Sequence, residues 1–176
     1  SNLRNDIEVL DLSSERHGFG NGGATITEAK LTDLEGRPLS WVVGGEMVRL
    51  EITAQVIVNC TNIIVGFHFK DRLGQVLFSQ NSFLASCLNP VSANPNETIK
   101  GVFTFRLPIL PRGSYSVDVA IADGPSPESV VQLQWVHDVF SLESRTSSIV
   151  SGLVGLVFDS IELSSQGASA SKAAAA

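Results

Sequence analysis

The sequence predicts an all-β fold, an antiparallel β-sandwich of about eight short strands. Three observations carry this. Apolar and polar residues alternate with period two through most of the chain, as in VRLEITAQVIV (48–58) and VGFHFKD (65–71), which marks strands that bury one face. Clusters of Gly, Pro, Asn and Asp recur at roughly 8–15-residue spacing, as the turns of a sandwich do. No stretch keeps a helical period over the length of a helix.

Residues 1–23 read as a flexible polar lead, with a short edge strand near Ile7–Leu10 and a loop, GFGNGG, at 18–23. The sandwich is expected to occupy 24–163. ATITEAKL (24–31) alternates and closes at the turn Asp33-Leu34-Glu35-Gly36; Pro38 and Gly44-Gly45 then bracket a connection carrying Trp41. In 48–58, Val48, Leu50, Ile52, Ala54, Val56 and Val58 share a core face, opposite Arg49, Glu51, Thr53 and Gln55. VGFHFKDRLGQVLF (65–78) is a hairpin with Val65, Phe67 and Phe69 inward, and Gly66, His68 and Lys70 outward. Its turn, Asp71-Arg72-Leu73-Gly74, uses the glycine's tolerance of positive φ. Pro90 and Pro95 mark a connection, because proline removes a ladder donor.

TIKGVFTFRL (98–107) groups Phe103, Phe105 and Leu107, and SYSVDVAIAD (114–123) points Tyr115, Val117, Val119 and Ile121 inward. In VVQLQWVHDVFSLE (130–143), Val131, Leu133 and Trp135 share one face; the phase then slips near His137–Val139, so that Phe140 and Leu142 become the apolar set. A slip of this kind predicts a β-bulge. SGLVGLVFDSIEL (151–163) reads as a last strand, and 164–176 as a disordered low-complexity tail.

Composition excludes several functions. With 176 residues, 43% hydrophobic and 17% charged, the chain is globular and fits one domain. A formal charge of −6 and the absence of a basic run argue against nucleic acid, whose phosphates need clustered Lys and Arg. No GxSxG, P-loop, HExxH or CxxC motif is present, so neither catalysis nor a cofactor is expected. His17, His68 and His137 lack metal-ligand spacing, and no metal is expected. Cys60 and Cys87 are expected as buried free thiols. No apolar run reaches a membrane span, and SNLRNDIEV has no apolar signal region, so a cytoplasmic location is expected.

A binding surface fits the pattern better. If 62–70, 114–123 and 130–138 are neighbours, as the C, F and G strands of an immunoglobulin-like sandwich are, then His68, Lys70, Ser116, Asp118, Gln132 and Gln134 share one outward face. Such short donors and acceptors suit sugar hydroxyls, and an aromatic ring can cover the C–H face of a pyranose. Strand phase sends Trp135 and Tyr115 to the core and leaves Trp41 as the better exposed aromatic. An ordinary solvated sheet face is the alternative.

The run GGEMVRLEITAQVIVNCTNIIVGFHFKDRLGQVLFSQNSFL (44–84) resembles the C-terminal domain of Wzt-type ABC transporter ATPases, which export lipopolysaccharide O-antigen. The matching pieces are Gly45-Glu46 before an alternating strand, the hairpin Val65–Phe78 followed by Asn81, Gly113–Gly124, and the run from Trp135. The resemblance spans about residues 24–160. It implies an immunoglobulin-like carbohydrate-binding module that recognises the modified non-reducing end of a lipid-linked O-polysaccharide. It also implies a membrane-spanning transporter partner, reached through a nucleotide-binding domain that this chain lacks, and a place at the inner membrane. The positions carried by the pattern, Val65-Gly66-Phe67, Gly74, Gly113, Tyr115, Trp135 and Asp138, read as structural. Lys70 or Arg72 is expected to meet an anionic cap such as phosphate. The apolar, glycine-containing 151–163, reached through SRTSS (144–148), suits strand exchange in a homodimer. A structural dimerisation module without glycan binding is the alternative function.

Overall fold

A computed structural model describes residues 5–11, 17–149 and 151–165. The strands are β1 (Asp6–Asp11), β2 (His17–Phe19), β3 (Ala24–Thr32), β4 (Trp41–Val42), β5 (Met47–Val56), β6 (Ile63–Asp71), β7 (Val76–Asn81), β8 (Thr98–Arg106), β9 (Gly113–Ser126) and β10 (Ser129–Thr146); one helical turn, α1 (Phe83–Ser86), follows β7. They form two antiparallel sheets. The larger runs β4-β1-β10-β9-β6-β7 with β2 added alongside β10, and the smaller runs β3-β5-β8. The expected neighbourhood of β6, β9 and β10 is therefore present, as is the expected all-β sandwich.

The core lies where the period-two pattern places it. Val48, Leu50, Ile52, Ala54 and Val56 of β5 are at most 1% exposed, and face Val65, Phe67 and Phe69 of β6 and Val117, Val119 and Ile121 of β9, all at most 5% exposed. Burying a side chain of this size is worth about 1.5–3 kcal/mol before conformational entropy is counted. The hydroxyl of Tyr115 donates to the Pro111 carbonyl at 2.7 Å, the corner that immunoglobulin-like sandwiches build at the same strand.

Several expectations change. Residues 6–11, expected as a lead with an edge strand, form a strand flanked on both sides by β4 and β10, with Ile7 fully buried. The glycine-rich 18–23 is no free loop: β2 pairs with Trp135–His137, and the amides of Asn21 and Gly22 donate to the carbonyls of Gln132 and Leu133, each at 3.1 Å. A Cβ at Gly18 would overlap the Trp135 carbonyl oxygen, so glycine permits this close approach. The 151–163 segment is not a strand but an irregular run, joined to the sandwich by the Ile109–Gly155 bridge and by Val154, which packs against the core. From residue 166 onward the expected tail lies outside the described residues. Val58 leaves the core, because β5 ends at Val56. Both cysteines are free, but Cys87 is exposed while Cys60 is buried.

The predicted slip in β10 is real and is accompanied by others. The β9–β10 ladder shifts register between Ser129 and Val131, between Gln132 and Gln134, and between Val136 and Phe140. At the last of these Asp138 takes φ 52°, a left-handed value that aspartate tolerates better than most residues. A one-residue shift inverts the facing of the residues beyond it, as at Ser129/Val131 and Gln132/Gln134, whereas the two extra residues between Val136 and Phe140 leave both of these inward.

Candidate functional site: a polar hollow on the larger sheet

The outward face of β6, β9 and β10 holds a hollow of about 230 Å³, closed on one side by Ser79, Gln80 and Asn81 of β7. Gly66, Ala120 and Ala122 keep its floor low, and His68, Asp118, Gln132 and Trp135 line it. A Cβ at Gly66 would come within 3.1 Å of both Asn81 Cβ and the Gln80 carbonyl oxygen, so a larger residue there would push β7 outward.

Asp118 is the hub. It is 3% exposed, and every oxygen is engaged. Lys70 Nζ lies 2.8 Å from Oδ1, and the Asp138 amide donates to the same oxygen at 3.0 Å. Trp135 Nε1 donates to Oδ2 at 3.4 Å, and His137 Nδ1 sits 3.0 Å from it. Burial alone would raise the carboxyl's pKa; the hydrogen bonds from Lys70, the Asp138 amide and His137 outweigh it and hold the pKa below the ordinary value. Lys70 shows the mirror image. Burial pulls its pKa down, and hydrogen bonds to Asp118 and Asp138, the latter at 3.2 Å, more than restore it, leaving it raised. The pair is a closed ionic unit, so Asp118 is not placed to take a proton from a substrate.

The remaining polar groups divide by side. Asn81, opposite Gly66 on the outward face, spends its side-chain oxygen on the amide of Phe83 at 3.0 Å, so β7 offers its amide donors. Gln132 spends Nε2 on the carbonyls of Ile121, at 3.0 Å, and Gln134, at 3.1 Å, so β10 offers its Oε1 as an acceptor. The Trp135 ring stands between His68, whose ring is 4.8 Å away and nearly perpendicular, and Phe19, stacked at 5.7 Å.

Of the residues expected on this face, His68, Asp118 and Gln132 line the hollow, and Lys70 reaches it only through its ion pair with Asp118. Ser116 shares the sheet face but lines an adjoining hollow with Lys70, Asp138 and Ser141. Gln134 does not belong: after the register shift its Oε1 turns to accept the Ile26 amide of β3 at 2.6 Å. Trp41 does not belong either. It is exposed, but lies on β4 at the far edge of the sheet, paired with Glu8. Trp135, expected in the core, is the aromatic of the site. The phase change of β10 is legible in the sequence, but it reads at His137–Val139, a few residues beyond the shift at Gln132/Gln134 that turns Trp135 outward. Phe19 and Asn81 carry no such signal. Among the described residues no three His, Cys, Asp or Glu side chains gather to hold a metal ion.

Two facing antiparallel sheets, a tyrosine corner and a hydrogen-bonding hollow on one sheet face define an immunoglobulin-like sandwich domain. The chain belongs to the Wzt C-terminal domain family, whose model matches residues 15–156, and is thereby a domain of an O-antigen ABC transporter component rather than a catalytic domain. It is similar to the crystal structure of the C-terminal domain of wzt, with a TM-score of 0.70 and 21% identity over 86% of this chain and 90% of that one. A β-glucuronidase from glycoside hydrolase family 2 matches at a TM-score of 0.35 and 14% identity, over 64% of this chain and 11% of that one. No curated protein matches. Among the described residues no helix is long and apolar enough to cross a membrane.

Proposed function

We propose that the hollow binds the modified non-reducing end of a lipid-linked O-polysaccharide, making the domain the non-catalytic carbohydrate-recognition part of its exporter. The observation that carries this reading is the convergence of β7 amide donors, the Gln132 acceptor, His68 and Trp135 around a space of about 230 Å³. That is below the roughly 300–1,000 Å³ of drug-sized sites and suits one sugar ring, hence an end rather than a chain. Each hydrogen bond nets only about 0.5–1.5 kcal/mol against water, so affinity in the micromolar to millimolar range is expected. The domain would work on the cytoplasmic side of the inner membrane, reaching the membrane-spanning subunit through a nucleotide-binding domain.

The test is an NMR titration of this chain with O-polysaccharide, native and with its terminal modification removed. Shifts at His68, Gln132 and the Trp135 indole with the native polymer only are the expected result. Binding to the trimmed chain alone would sink end recognition.

A second reading, homodimerisation, has its own observation. Leu153, Leu156, Val157, Phe158, Ile161 and Leu163 are all at least 50% exposed on the irregular C-terminal run, and apolar groups so clustered mark association surfaces. Light scattering of the chain truncated after Ser148 tests it; a truncated chain that remains a dimer rules this segment out as the contact.

A further inference from the structure

The charge of the hollow selects among glycan ends. Its lining contains no lysine or arginine. The nearest ammonium, Lys70, is held between Asp118 and Asp138 at 2.8 and 3.2 Å, so the sequence expectation that it meets an anionic cap fails: its charge is already spent on two carboxylates. Arg72 lies on the β6–β7 turn and lines the adjoining hollow rather than this one. Two carboxylates share the one Lys70 ammonium, so an incoming phosphate or carboxylate would meet an excess of negative charge beside the wall and no lysine or arginine free to neutralise it. A like charge placed beside a buried one is strongly disfavoured, since the local dielectric is well below that of water. An ammonium fares no better, because both Asp118 oxygens already accept hydrogen bonds.

We infer that the site takes an uncharged glycan terminus, a neutral ring or one bearing an apolar substituent, and excludes anionic caps. This rests on the carbohydrate reading above. Hydroxyls of such a ring both donate and accept, matching the Gln132 oxygen on one side and the Asn81 amide on the other. Its C–H surface or apolar substituent lies against Ala120, Ala122 and Trp135, with Ile64 beyond them.

The experiment uses the full chain and two matched sets of probes. One is the 6-O-methyl ethers of the methyl glycosides of glucose, galactose, mannose and N-acetylglucosamine, whose ether methyl stands for a neutral terminal modification and whose anomeric methyl stands for the rest of the polymer. The other is the 6-phosphates of the same sugars at equal ionic strength. At least one neutral glycoside is expected to shift His68, Gln132 and the Trp135 indole, with affinity roughly tenfold or more above that of its 6-phosphate. A 6-phosphate that binds as tightly as its neutral counterpart overturns the inference and leaves the carbohydrate reading standing. No shift at these residues with any probe overturns the carbohydrate reading, and the inference with it. Asp118→Asn keeps the shape of the hub and releases Lys70, so the preference for the neutral probe should fall several-fold. Asp138→Asn, at an exposed position where asparagine tolerates the positive φ, is the companion variant and should narrow it in the same direction. A preference unchanged in a folded variant of either kind shows that charge is not its cause.

Discussion

Asp118 joins structure and function through one buried carboxylate. Replacing it with alanine strands Lys70, whose side chain is 15% exposed, and removes the anchor of His137 and Trp135. Breaking a buried pair by deleting one member costs about 3–5 kcal/mol; for this partly wet site Asp118→Ala should cost about 3 kcal/mol in urea unfolding. The pH dependence comes from the two shifts. The Asp118 pKa is depressed in the fold, so its contribution is present above the unfolded aspartate value of about 3.9 and lost as pH falls through the folded value. The Lys70 pKa is raised, so its contribution is present below the unfolded lysine value of about 10.4 and lost as pH rises through the folded one. Thermal unfolding of wild type and Asp118→Asn across pH should therefore differ by a constant margin in the neutral range, and the two curves should converge on acidification below about pH 4. Curves that stay parallel into strong acid would remove the ionic account of this hub.

Strand β10 shows where period-two reading succeeds and where it stops. On β6 and on β9 from Ser116 to Ile121 the pairing is regular, so alternation correctly places His68, Lys70, Ser116 and Asp118 outward. On β10 the shift at Gln132/Gln134 reverses the facing of the next residues, which sends Gln134 toward the second sheet and brings Trp135 to the surface. The two apolar sets are out of phase because of this shift, after which Val136, Phe140 and Leu142 are the inward residues; the sequence reads the slip a few residues late, at His137–Val139, because Trp135 is apolar and continues the first set although it faces outward. The same limit hides β2. A glycine-rich run has no side-chain pattern, yet Gly18 is what lets the chain lie against Trp135 and place Phe19 on its ring. Gly18→Ala should cost about 1–3 kcal/mol by overpacking against backbone while the sandwich remains folded. In a Trp41→Phe background, which leaves Trp135 as the single tryptophan, its emission should shift to longer wavelength as Phe19 departs. An unchanged spectrum would mean β2 does not hold the ring.

At the scale of the whole molecule, two-sheet packing is legible because the inward residues of both sheets alternate cleanly, whereas both ends of the sandwich escape the pattern. Ile7 is buried between β4 and β10 and Val9, two residues on, packs against the same core, but two inward positions flanked by Asp6, Glu8 and Asp11 are too short an alternation to distinguish a paired strand from an edge one. The C-terminal run misleads in the opposite way: its apolar content predicts a strand, while the structure joins it to the fold through the Ile109–Gly155 bridge, with both backbone bonds at 2.7 Å, and leaves its large side chains outside. A second copy covering that surface would link stability to concentration, because dissociation accompanies unfolding. For a dimer of this chain length a tenfold rise in concentration should raise the unfolding midpoint by about 2 °C, and the chain truncated after Ser148 should show no such dependence. If the intact chain unfolds at one temperature across a concentration range of about a hundredfold, homodimerisation through this segment is excluded.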